Sequence, residues 1–123
     1  MMNEIEKTFA PPNSIIFIAD PTRRYSVPED TGATLVTATS SCIGIGTLAE
    51  MDGETTIRLS KNFSSPIGEL VFDSMLETPG LRIAVIDSGA DPQLVMPVGS
   101  GTTHVRIWVN DQNEPDLILI EAR

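Results

Sequence analysis

Asp52-Gly53-Glu54-Thr55-Thr56-Ile57-Arg58-Leu59-Ser60 is the stretch whose reading decides the fold. Asp-Gly suits a tight turn, and after it Ile57 and Leu59 alternate with Thr56 and Arg58. That period of two sends aliphatic side chains to one face and polar ones to the other. The reading is a hairpin turn at Asp52-Gly53 with a return strand over residues 54–60, one face buried and one wet.

The same grammar extends in both directions. Upstream, residues 43–49 read as a strand with Gly44 and Gly46 on one face, and residues 33–39 as a Thr-rich strand. Residues 14–19 are β-branched and apolar and close at Asp20-Pro21. Residues 20–32, with Arg23, Arg24, Tyr25 and Pro28, have neither period and read as a loop, and residues 1–13 as a polar leader broken by Pro11-Pro12. Downstream, residues 69–72 form a strand that Met75-Leu76 carries to a stop at Thr78-Pro79-Gly80. Residues 81–86, 93–98, 103–109 and 116–121 follow, separated by Gly-, Asp-, Asn- and Pro-rich turns. About eight strands result, with no segment of helical period, so the fold expected is all-β: a two-sheet antiparallel β-sandwich forming a single domain over residues 1–123. Its core is drawn from Ile16, Ile18, Leu35, Ile45, Ile57, Leu59, Leu70, Phe72, Ile83, Val85, Val105, Ile107, Leu117 and Leu119.

Composition bounds the function. At 123 residues with 41% hydrophobic and 20% charged residues the chain packs a core without needing a disulfide or metal. Seventeen acidic residues against eight basic ones give a formal charge of -9. A phosphate backbone or an anionic membrane is repelled by such a surface, and the basic residues are scattered apart from Arg23-Arg24. The field favours a basic protein partner instead. The acidic clusters that would meet it are Glu50, Asp52 and Glu54, and the turn holding Asp111, Glu114 and Asp116. Trp108, on one strand face with His104 and Arg106, is a candidate anchor, because Trp and Arg are favoured at interface hot spots. A lone cysteine, Cys42, makes no intrachain disulfide, and residues 1–7 lack a basic segment followed by an apolar run. A cytoplasmic location is therefore expected.

Four strings carry possible chemistry. Ile83-Ala84-Val85-Ile86-Asp87-Ser88-Gly89-Ala90-Asp91 resembles the active-site signature of retroviral-type aspartic proteases, in which paired chains each supply one aspartate. Asp87 would be the catalytic residue under that reading. In that family the signature comes early and a flap, a second apolar segment and a helix follow, whereas only residues 92–123 remain here, so the string reads better as a strand ending in a turn. Cys42 and His104 lack any local dyad signature, and Cys42 reads as a small buried hydrophobe. Residues 110–116 offer oxygen ligands without the mid-loop glycine and closing glutamate of a calcium loop, and read as a solvated hairpin turn. Gly44-Ile45-Gly46 lacks the third glycine and helix of a dinucleotide site and marks a close approach of other atoms to the strand. No catalytic, metal or cofactor site is expected.

Taken together, Ile45-Gly46-Thr47, Asp52-Gly53-Glu54-Thr55, Leu76-Glu77-Thr78-Pro79-Gly80-Leu81 and Val105-Arg106-Ile107-Trp108-Val109 lie in an order that resembles the small bacterial proteins of the competence protein J type. The resemblance implies an acidic β-sandwich that acts as a nuclease inhibitor, and it transfers no functional residue. The function expected is an acidic protein-binding module, such as a bacterial immunity protein or an inhibitor of a basic toxin or nuclease. The alternative is a homodimeric accessory subunit joined through exposed strand edges.

Overall fold

The computed structural model describes residues 4–29 and 32–123. Ten strands build two five-stranded sheets: β1 (Glu4–Phe9), β2 (Ile15–Ala19), β3 (Val36–Ala38), β4 (Cys42–Gly46), β5 (Thr55–Ser60), β6 (Glu69–Glu77), β7 (Arg82–Asp87), β8 (Pro92–Pro97), β9 (Thr102–Val109) and β10 (Leu117–Ala122). Sheet A has the order β1-β5-β10-β9-β6 and sheet B the order β3-β4-β2-β7-β8. The all-β sandwich is as the periodicity indicates, with ten strands where about eight are read from the sequence. Every neighbouring pair is antiparallel except β5 and β10, which run parallel with Ile57 opposite Ile118.

One strand not read from the sequence lies within the polar leader: residues 4–9 pair with β5, and residues 1–3 fall outside the described residues. Glu4, Glu6 and Thr8 share the register of the outer-face residues Ser60, Arg58 and Thr56, while Ile5 and Phe9 pack against the core. An edge strand with one wet face needs no more apolar residues than these two.

The interior is aliphatic. Ile16, Ile18, Ile43 and Ile45 of sheet B meet Ile57, Leu59, Val105, Ile107, Ile118 and Ile120 of sheet A, all with no exposed surface. Ile57 and Leu59 face inward and Thr56 and Arg58 outward, as their alternation requires. The turn before them is not a hairpin, however. β4 belongs to sheet B and β5 to sheet A, so residues 47–54 arch from one layer to the other. The local turn is present, with the Asp52 N–H donating to the Ala49 carbonyl at 2.8 Å and Gly53 at φ 148°. Sheet membership is set by what lies across the core, and a dipeptide does not encode that.

Three expected core residues point elsewhere. Leu117 and Leu119 pair with the outer-face residues Thr56 and Arg58, so Ile118, Ile120 and Ala122 are the core face of β10. A register shift between Leu70 and Phe72 turns Leu70 outward opposite Trp108, where it is 45% exposed. Leu35 and Phe72 pack against the core from its margin.

β10 is apolar on both faces because both are covered. Residues 61–68 lie over the outside of sheet A, where the Phe63 ring meets Trp108 edge-on with centroids 6.2 Å apart. The Phe63 N–H donates to Glu121 Oε2 at 3.0 Å, and Glu121 Oε1 accepts from Arg106 Nε and Nη2 at 2.9 and 2.7 Å and from Arg123 Nε at 3.1 Å. Burial alone would raise the Glu121 pKa, but these donors and positive charges outweigh it and hold the carboxyl below its ordinary value. Gly68, at φ 97°, ends this cover where any Cβ would overlap the Val109 carbonyl.

A second clasp ties the β6–β7 connection to the end of β2. Buried Asp20 accepts from the Thr22 N–H and hydroxyl at 2.8 and 2.7 Å and from the Gly80 N–H at 2.5 Å. A Cβ on Gly80 would overlap Thr22 Oγ1 and lie 2.9 Å from Asp20 Oδ2. Gly80→Ala is therefore expected to lower unfolding stability by about 1–3 kcal/mol in urea titration. Glu121→Gln is expected to cost about 2 kcal/mol at neutral pH, since hydrogen bonds to a buried charge are lost. Because the folded-state pKa is depressed, this contribution is complete above the unfolded value of about 4.3 and disappears as pH falls through the folded value. Urea titrations at neutral and strongly acidic pH should show the two proteins differing in the first and converging in the second.

Candidate functional site: an acidic end of the sandwich

The loops that enter β5 and β10 arrive at the same end because these two strands are parallel neighbours. The Leu48 N–H donates to the Pro115 carbonyl at 2.9 Å, and the Thr56 N–H to the Asp116 carbonyl at 2.8 Å. The two acidic clusters singled out in the sequence are thereby joined: Glu50, Asp52 and Glu54 on one loop, Asp111, Glu114 and Asp116 on the other, all exposed.

Neighbouring segments extend this surface. The Glu50 N–H donates to Ser14 Oγ at 3.1 Å, and Asn13 Nδ2 to Ser88 Oγ at 2.9 Å, which ties in the β7–β8 turn and exposed Asp91. The Gln112 side chain bonds Glu69, the first residue of β6. Neither residues 10–14, 46–54, 66–69, 87–92 nor 110–116 contain a Lys or Arg. Asp91 and Glu69 were not apparent as site residues in the sequence, where each is an isolated acid beside a strand. Only the direction of β6 and β8 places them here.

Turn chemistry explains the shape of the end. Asp111 accepts from the N–H groups of Asn113 and Glu114 at 2.8 and 3.0 Å, and these bonds hold its pKa below the ordinary value. Asn110 Oδ1 accepts from the Asp116 and Leu117 N–H groups at 3.2 and 3.1 Å, and its Nδ2 donates to Asp116 Oδ1 at 2.6 Å. The segment is the hairpin turn between β9 and β10 that its composition indicates. Among the described residues no group of three or more His, Cys, Asp or Glu side chains is arranged to hold a metal ion.

The remaining candidates are placed as follows. Trp108 lies on the outer face of β9 with His104 and Arg106, but it is only 7% exposed. Phe63 covers it, and the Arg106 guanidinium stands 5.1 Å from its ring centre. Its surface is thus spent on the chain's own loop. Cys42 is buried in sheet B beside Ala19, Ala84 and Ile86, and burial pushes its thiol up to about 12. His104 belongs to sheet A and pairs with Asp73 at 2.5 Å, so the two residues form no dyad. Gly44 lies against Phe17 and Thr37, whose atoms would meet a Cβ at 3.3 and 3.2 Å; the close approach is internal packing.

Asp87 closes the β7–β8 turn. Its Oδ1 accepts from the Gly89 and Asp91 N–H groups at 2.9 and 3.0 Å, and Oδ2 from Gln93 Nε2 at 3.0 Å. Those bonds stabilise a turn in which Ala90 has φ 64°.

The fold and this end describe an acidic β-sandwich with a carboxylate-rich end whose loops contain no Lys or Arg. No family model matches the chain, and no curated protein matches it. Solved structures that share its fold include the crystal structure of ComJ, inhibitor of the DNA degrading activity of NucA, from Bacillus subtilis. It superposes with a TM-score of 0.72 at 12% identity over 99% of this chain and 97% of that one. The structure described as crocagin biosynthetic gene J superposes with a TM-score of 0.53 at 14% identity, over 97% of this chain and 95% of that one. At these identities the likeness is one of fold, and it agrees with the competence protein J-type resemblance in the sequence.

Asp87→Ala is expected to lower stability by about 1–3 kcal/mol, because two turn N–H groups lose their acceptor. Amide exchange over residues 88–91 should accelerate in the same variant.

Proposed function

We propose that the chain is a non-catalytic protein inhibitor that docks its acidic end on a basic nuclease or toxin. The observation that carries this reading is the convergence of Glu50, Asp52, Glu54, Asp111, Glu114 and Asp116 at one end whose segments hold no Lys or Arg. Clustered charge of one sign raises the rate of encounter with the opposite sign and orients the approach. The fold shared with an inhibitor of a DNA-degrading enzyme supports the choice of a nuclease as the partner's class. An inhibitor of this kind needs shape, charge complementarity and a few anchors, and no reacting group.

The test is inhibition of DNA degradation by cationic nucleases, with association followed by stopped flow. Asp52→Lys combined with Glu54→Lys is expected to slow association about tenfold at low salt and much less at high salt, where screening shortens the reach of the field. Equal on-rates for variant and wild type in both buffers would sink the electrostatic reading.

A further inference from the structure

Three of the four sheet edges are blunted. β8 is bounded by Pro92 and Pro97, and β3 has three residues. In β1, Lys7 occupies a position opposite the inward residue Ile57 and reaches out to Gln93 Oε1 at 2.6 Å, which also bridges the β1 and β8 edges. Prolines, short strands and inward-pointing charges are the devices that keep edges from pairing. β6 is different: it is nine residues long and pairs on one side with β9, and among the described residues its other side is tied at Glu77, whose N–H donates to the Ser40 carbonyl at 2.9 Å and whose carboxylate accepts from the Ser40 hydroxyl at 3.3 Å. A register shift near Val71 disturbs its first part, so residues 72–76 form the regular free stretch.

We infer that the free edge of β6 receives an extended strand of the same cationic protein partner, added antiparallel by main-chain hydrogen bonds. The inference rests on the proposed function for the partner's charge. Outward along β6 run Asp73, Met75 and Glu77, opposite Arg106, His104 and Thr102 of β9. This row of acid, apolar and acid fits a strand presenting a basic, an apolar and a basic side chain on one face, at every second residue, since opposite charges directly across a strand pair stabilise it. Met75 is 52% exposed and supplies apolar contact between the two acids. Glu69 begins β6 at the acidic end, so one partner can cover both surfaces. A second copy of this chain fits the edge poorly. The antiparallel register with the longest overlap would set Asp73 against Asp73 and Glu69 against Glu77, and like charges directly opposite are destabilising.

The probe is a synthetic peptide Lys-Thr-Val-Thr-Lys with blocked ends, whose Lys, Val and Lys share one face of a strand, compared with the same peptide N-methylated at alternate residues, titrated into the full protein and followed by amide shifts and hydrogen exchange. Main-chain bonding predicts shifts in residues 72–77 with slowed exchange at the Asp73 and Met75 amides, loss of about tenfold or more in affinity on N-methylation, and about threefold weaker binding to Asp73→Lys. Shifts confined to residues 50–54 and 111–116, with both peptides binding equally, would overturn the edge inference and leave the acidic-end reading standing. No shifts anywhere would remove both. Protection of the Asp73 and Met75 amides in a protein dimer without peptide, seen by sedimentation, would assign the edge to a second copy and overturn the inference.

Discussion

The parallel pairing of β5 with β10 is the constraint on which the rest of the molecule depends. Parallel neighbours cannot be joined by a short turn, so the chain must leave sheet A and return between them. Here that excursion runs through β6, crosses to β7 and β8, and comes back as β9. Because the two strands point the same way, whatever precedes each of them lands at the same end. The arch before β5 and the hairpin before β10 are bound there by the Leu48–Pro115 and Thr56–Asp116 hydrogen bonds. An antiparallel pair would have placed the two acidic segments at opposite ends of the sandwich.

The same position explains the outer face of sheet A. β10 lies between β5 and β9, and its sequence offers almost nothing that tolerates water on either side. Sheet B covers one face and residues 61–68 the other. Glu121, at 1% exposure, is the exception within the strand, and two arginines and the Phe63 N–H compensate its burial. A buried ion pair contributes little net stability compared with a well-packed apolar substitute. What it does here is fix where the covering loop crosses the sheet, which in turn places Phe63 on Trp108. Trp108 is covered by that arrangement and is left 7% exposed.

How much of this could be read from the sequence depended on whether the signal was local. Alternation at Ile57/Leu59 and Val105/Ile107 correctly named the inward side chains, because a polar residue between them marks the outer face. In Leu117-Ile118-Leu119-Ile120 no polar residue breaks the tie, and the core turned out to hold the isoleucines. Leu70 was misplaced by a register shift that no composition announces. Asp52-Gly53 encodes a turn, and the turn is there, but whether the next strand pairs with the last one or crosses to the other sheet depends on residues far away. The strand at 4–9 was hidden because an edge strand needs only Ile5 and Phe9 on its inner face. The acidic residues were legible one by one; their convergence was not, since it follows from strand direction.

Charge is distributed unevenly for a structural reason. Arg58 serves Glu4 and Glu6 across β1 and β5, Arg106 and Arg123 serve Glu121, and His104 faces Asp73. Each of these bases is fixed by a strand in the middle or at the far end of the sheet. The carboxylates of the acidic end bond instead to main-chain and side-chain amides: Glu50 to the Asn13 N–H, Asp111 to those of Asn113 and Glu114, Asp116 to Asn110, and Glu69 to Gln112. Amides orient these groups without neutralising them. Two like charges about 10 Å apart repel by about 0.4 kcal/mol in water, so a cluster of them carries a modest, additive and salt-sensitive cost in the isolated protein. A positive surface brought against this end would relieve that repulsion, which is the gain the proposed function draws on.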